Sequence, residues 1–169
     1  FLLSNNRDRI SVGPNSDLDL GSNNFTIEMW LKPSTTTGDG TERFLISKWS
    51  NGNAFRISYD ADASSGSIIV YTGTTTTATF TSALLPIDKW THFALVRSGN
   101  QATLYYDGNS ISTQTLSSGN QSFTGTGNHS ADKFEIGNVT QDNNKGYFGL
   151  IADFRYAKKA VYTGAFTPP

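Results

Sequence analysis

The sequence predicts an all-β sandwich, and three observations point there. Residues that favour helices are scarce, with only three glutamates, Glu28, Glu42 and Glu135, while threonine, serine, asparagine and glycine are abundant. Apolar residues recur with a period of two, the mark of a strand with one buried face. Turn-forming clusters separate these segments at spacings of roughly 8–12 residues. A length of 169 residues is one domain's worth and enough to bury a core, so residues 1–169 are expected to form a single domain. Spacing alone admits a sandwich or a closed barrel.

The segments follow in order. Phe25 to Lys32 alternates, with Phe25, Ile27, Met29 and Leu31 on one face and Thr26, Glu28, Trp30 and Lys32 on the other; Pro33 stops it. Phe44 to Trp49 reads as a strand, Ser50–Asn53 as a turn, and Ala54 to Tyr59 as the next strand. Asp60 to Gly66 reads as a polar loop, followed by a strand from Ser67 to Thr72. The run Thr74–Thr77 suits an exposed edge or a loop. Trp90 to Arg97 and Ala102 to Asp107 flank Ser98–Gln101, the clearest hairpin in the chain. Asp107-Gly108-Asn109 is another tight turn. Ser117 to Ser130 is expected to be a long loop, Lys133 to Gly137 and Gly146 to Tyr156 the last strands, and Ala157–Ala160 a single helical turn. The chain opens without methionine, and Phe1–Ser4 is too short and lacks the basic start of a secretory leader. With Thr167-Pro168-Pro169 at its end, it reads as a domain of a longer protein or as a chain whose first residues are missing.

Several function classes fall away. The formal net charge is −1 and the basic residues form no cluster, so nucleic acid is not an expected partner. No cysteine is present, which removes disulfides, thiolate zinc sites and cysteine nucleophiles without fixing the compartment. No apolar run approaches the ~20 residues a spanning helix needs, so membrane insertion is not expected.

Asp17–Gly21 and Phe25–Pro33, then Leu45–Lys48, Trp90–Arg97 and Leu104–Gly108, stand in one order. Together they resemble laminin-G-like domains of the concanavalin A-like superfamily over nearly the whole chain. Gly149–Tyr156 followed by Val161–Pro169 is similar to the C-terminal phrase of such domains in bacteriophage virion proteins. The resemblance implies a two-sheet antiparallel jelly-roll sandwich, and it suggests a place on a virion surface. Trp90 and the Phe25 face are expected to be buried between the sheets.

Catalysis is not expected. Glycosidases need two carboxyl groups flanking one bond, and the E-x-D-x-x-E strand motif of enzymes in this superfamily is absent. Glu28 and Glu135 lie on predicted strands and face one groove only if the fold brings them together. A serine triad needs a histidine, and the two present, His92 and His129, lie in a strand and in a polar loop without a G-x-S-x-G partner. The resemblance implies calcium as the possible cofactor, with oxygen ligands from the Asp60–Asp62 loop or from Asp142, Asn143 and Asn144; ordinary turn roles compete for all five. Sugar binding needs exposed aromatics beside amides and carboxylates. Trp49 with Asn51 and Asn53 is the leading cluster, and Tyr71 and Tyr147 are further candidates, core packing being the competing role. Four N-x-S/T sequons occur, at Asn24, Asn120, Asn128 and Asn138, a number that chance allows in so Asn-, Ser- and Thr-rich a chain.

The expected function is that of a non-catalytic phage virion surface protein, a capsid decoration or tail-associated domain, serving adhesion to surface glycans. The alternative is a secreted or cell-surface lectin-like module outside any virion. Expected partners are other virion proteins, host-surface glycans and further copies of the chain.

Overall fold

The computed structural model describes residues 1–34, 40–48, 55–62, 64–72, 75–116, 133–138 and 144–169. Within them lie β1 (Leu2–Leu3), β2 (Ile10–Val12), β3 (Phe25–Pro33), β4 (Arg43–Lys48), β5 (Phe55–Ala61) and β6 (Gly66–Thr72). Then follow β7 (Thr75–Phe80), β8 (Thr91–Ser98), β9 (Gln101–Tyr106), β10 (Asn109–Thr115), β11 (Phe134–Ile136) and β12 (Gly149–Ala157). One 3-10 turn, Ser16–Leu18, is the only helical element among the described residues. No helix there is long and apolar enough to cross a membrane.

Two six-stranded antiparallel sheets result, in the orders β1-β12-β3-β8-β9-β10 and β2-β11-β4-β5-β6-β7. The expected sandwich of two antiparallel sheets is therefore what forms. Phe25, Ile27, Met29 and Leu31 of β3 meet Phe55, Ile57, Ile68, Val70, Phe93, Leu95 and Leu104 in one core between the sheets. The local turns behave as read: Ser98 pairs with Gln101 around Gly99, and Tyr106 pairs with Asn109 around Asp107 and Gly108, both at positive φ. The threonine-rich β7 is the edge strand of the second sheet.

Two expectations need correcting. Trp90 is not in the core: it precedes β8 and is 43% exposed. The inward positions of β8 include Phe93 and Leu95, so Trp90 is out of step with them, on the side of His92 and Ala94. Ala157–Ala160 makes no helical turn; Ala157 ends β12 and the chain then bends away. The reading also passed over β1, β2 and β10. The first two are strands of two and three residues, and β10 is a largely exposed edge strand with little apolar pattern. The Ser117–Ser130 loop lies outside the described residues.

The outer face of the first sheet is not open throughout. Ala94, Val96 and Tyr105 form a second apolar cluster, covered by Ala160, Tyr162 and Phe166 of the C-terminal segment. Thr26 Oγ1 donates to Lys159 O at 2.9 Å and accepts from Val161 N at 2.9 Å, and Phe166 N donates to Gly108 O at 3.0 Å. Gly108 has φ +76, and a Cβ there would stand 1.7 Å from Phe166 O, so this turn needs glycine twice over.

Candidate functional site

Of the aromatics expected to serve a sugar, Tyr71 lies on the outer face of the second sheet. Its neighbours Ile68 and Val70 face the core, and Tyr71 is half-buried beside Arg56, its partner in the β5–β6 register. The Arg56 guanidinium lies 3.8 Å from the Tyr71 ring centroid and 5.7 Å from that of Phe44. Glu42 sits between two cations, 3.9 Å from Arg56 Nε and 3.4 Å from Lys145 Nζ. Burial, and then the nearby Glu42 charge, push the Tyr71 phenol up. Trp49, Asn51 and Asn53 fall in the β4–β5 connection, outside the described residues. Tyr71 stands next to Thr72, the partner of Phe55, at the end of β5 where that connection enters.

Tyr147 is a correction. It is 2% exposed, part of the core, with its hydroxyl unpartnered among the described residues, and burial pushes its pKa well up. It presents no ring to solvent, because the turn into β12 carries it between the sheets.

The calcium candidates do not assemble into a ligand set among the described residues, where no group of three or more His, Cys, Asp or Glu side chains is placed to hold a metal. Asp60 lies on β5, opposite Ser67. Asp62 follows the strand and caps its own turn, accepting from Ser64 N at 2.8 Å and Ser65 N at 2.7 Å and from both serine hydroxyls. Those donors, the Ser64 amide foremost, lower its pKa to about 2. Calcium asks for six to eight oxygens, and two aspartates, one already committed to four donors, do not supply them. Asn144 is exposed, and its carbonyl accepts from Arg43 at 3.1 Å. Asp142 and Asn143 lie outside the described residues.

The two strand glutamates do not share a groove. Glu28 faces outward from the first sheet, between core residues Ile27 and Met29; Glu135 faces outward from the second, between Phe134 and Ile136. The core lies between them. Both are 1% exposed. Glu135 pairs with Arg9 Nε at 3.1 Å and accepts from Ser11 Oγ at 2.8 Å. Glu28 pairs with Arg155, accepts from Tyr162 Oη at 2.7 Å, and lies 3.4 Å from His92 Nε2. His92 is closed in by Trp30 and Phe166, ring centroids 5.3 and 5.7 Å away, and burial lowers its pKa below the ordinary value. Burial and Glu28 together push the Tyr162 phenol up to about 12. These groups bind the C-terminal segment to the sheet. Sequence reasoning missed the part played by Tyr162 and Phe166, whose rings stack with centroids 3.4 Å apart in a segment without regular structure, so that no periodicity marked them.

His129 lies outside the described residues. Of the sequons, Asn138 is fully buried, with its side chain donating to Asn6 O; Asn24 is exposed and accepts from Gly99 N at 2.8 Å; Asn120 and Asn128 lie outside the described residues.

The Laminin_G_3 family model, concanavalin A-like lectin/glucanases superfamily, matches residues 4–165. None of the curated proteins matches. A native heptameric SAP-like pentraxin from Limulus polyphemus is similar in structure, with TM-score 0.66 and 16% identity over 95% of this chain and 80% of that one. Domain 4 of the GH43 extracellular arabinanase AbnA from Geobacillus stearothermophilus, in complex with arabinotriose, has TM-score 0.62 and 19% identity over 95% of this chain and 71% of that one. A botulinum neurotoxin serotype D binding domain has TM-score 0.67 and 15% identity, and this chain spans 39% of its length. At these identities the likeness shows the fold.

Proposed function

This chain belongs to the concanavalin A-like lectin/glucanases superfamily, and from that premise we propose that it is a non-catalytic carbohydrate-binding module serving adhesion at the surface of a phage virion. One observation carries the binding: on the outer face of the second sheet, the half-buried Tyr71 stands beside Arg56 and the Glu42–Lys145 pair, over a buried Phe44, so that one aromatic ring lies next to hydrogen-bonding charge. That pairing is what sugar rings, apolar on their faces and polar at their rims, ask of a protein. The absence of catalysis is supported by Glu28 and Glu135, each buried and ion-paired on opposite outer faces. The virion setting is supported by the C-terminal phrase, Gly149–Tyr156 followed by Val161–Pro169, which is similar to that of such domains in phage virion proteins. The matched arabinanase domain, from an extracellular enzyme and holding arabinotriose, favours the second reading, an extracellular module outside any virion.

A broad glycan panel, run with calcium and again with a chelator, tests the binding. Retention of one or more glycans is expected, with at least a ~10-fold loss of affinity in Tyr71→Ala and no release of sugar products. Failure to bind any glycan ends the carbohydrate reading, and reproducible turnover ends the non-catalytic one. Recovery from purified particles supports the virion setting; recovery only as a free secreted protein defeats it.

A further inference from the structure

A cleft of about 450 Å³ opens between the β5–β6 turn and the connection from β7 to β8, lined by Ser64, Ser65, Ser67, Thr81, Ser82 and Leu84. Its walls are fixed. Gly66 O accepts from Ala83 N at 2.8 Å, Tyr106 Oη donates to Ala83 O at 2.8 Å, and Leu85 N donates to Tyr59 Oη at 3.0 Å. Only glycine permits this approach, since a Cβ at Gly66 would stand 2.7 Å from Leu84 Cα. Ser82 is held at φ +58, a conformation that a non-glycine residue keeps only where its surroundings impose it.

The chemistry of the lining is specific. The Ser64 and Ser65 hydroxyls are tied to the Asp62 carboxylate at 3.2 and 2.9 Å. The hydroxyls of Ser67, Thr81 and Ser82 have no hydrogen-bond partner among the described residues. Each can both donate and accept, and Leu84, 37% exposed, adds one apolar wall. A rigid cleft of hydroxyls with a single apolar wall suits a polyhydroxylated ring that has polar edges and a C–H face.

The cleft also shares a sheet face with Tyr71. Ser67, Ile69 and Tyr71 alternate outward along β6, between the core residues Ile68 and Val70. Four residues of strand separate Ser67 from Tyr71, about 13 Å, with Ile69 and its partner Thr79 between them. Resting on the carbohydrate reading above, we infer that the ligand is an oligosaccharide longer than one ring, held at one end by Tyr71 and at the other by the Ser67–Thr81 cleft. Two subsites joined by one ligand add their binding, so affinity rises with chain length until both are filled.

Titration calorimetry with cello-, xylo-, arabino- and chito-oligosaccharides, from single sugars to hexamers, tests this, together with the matching series of any further glycan the panel retains. Expected is a rise in affinity of about tenfold or more between the single sugar and the length that reaches both subsites. The double variant Ser67→Ala/Thr81→Val removes two hydroxyls near the surface and is expected to keep the wild-type melting temperature. Its affinity for long members should fall to that for short ones, whereas Tyr71→Ala weakens every length. Affinity independent of length, or a double variant that binds long members as wild type does, overturns the two-subsite inference while leaving carbohydrate binding at Tyr71 intact. Binding of no member in any series, with an empty panel, defeats the carbohydrate reading itself.

Discussion

Glu28→Gln removes a negative charge from the junction between the first sheet and the C-terminal segment. Glu28 is 1% exposed and is held by Arg155, by Tyr162 Oη at 2.7 Å and by His92 Nε2 at 3.4 Å. Breaking a fully buried ion pair costs roughly 3–5 kcal/mol, because the abandoned charge stays buried. Here the abandoned partner is Arg155, whose side chain is 47% exposed, so it returns to water and that penalty largely disappears. What remains is the loss of hydrogen bonds to a charged acceptor, roughly 1.5–3 kcal/mol, partly recovered because the glutamine oxygen still accepts from Tyr162. The expected destabilisation is therefore about 2 kcal/mol, or about 4–8 °C in melting temperature for a domain of this size. Urea unfolding, with calorimetry in parallel, measures it. A variant within about 0.5 kcal/mol of wild type, the range of an ordinary surface substitution, would show that Glu28 does not hold the C-terminal segment. Glycan retention by this variant should match wild type, since the junction lies on the sheet opposite Tyr71.

Trp90→Ala should cost under about 1 kcal/mol, because the side chain is 43% exposed, whereas Phe93→Ala, fully buried three residues later, should cost about 3–5 kcal/mol in the same unfolding assay; equal costs would put Trp90 back in the core. Burial lowers the His92 pKa, so the unfolded chain takes up its proton first: stability attributable to His92 is full above the ordinary histidine range and is lost as pH falls through the lowered folded value. Melting temperatures between pH 7 and pH 4 should therefore fall less steeply in His92→Gln than in wild type, and parallel slopes would remove His92 from the acid response.

Much of the sandwich was legible in the sequence because its signals are local. The alternation of Phe25, Ile27, Met29 and Leu31 needs no distant partner to be read, and neither does Asp107-Gly108 at a turn whose two central residues both take positive φ. Tyr71 could be named as an exposed aromatic candidate, but not the company it keeps. Arg56, Glu42, Phe44 and Lys145 gather around it through strand register and a connection entering from the far end of the chain.

The sequence by itself therefore determined the class of fold, the core face of each strongly alternating strand, and the lack of a strand motif for glycoside hydrolysis. Tertiary structure alone decided which strands share a sheet, with β1 and β12 from opposite ends of the chain lying side by side. It also decided that Tyr147 is core and Trp90 is not, and that Glu28 meets Tyr162 across 134 residues. The physical reason is one of range. Turn conformation and alternation are properties of a few neighbouring residues, whereas burial depends on what a distant segment lays over a face, and the outward residues of β3 and β8 were covered only when the last ten residues folded back across them.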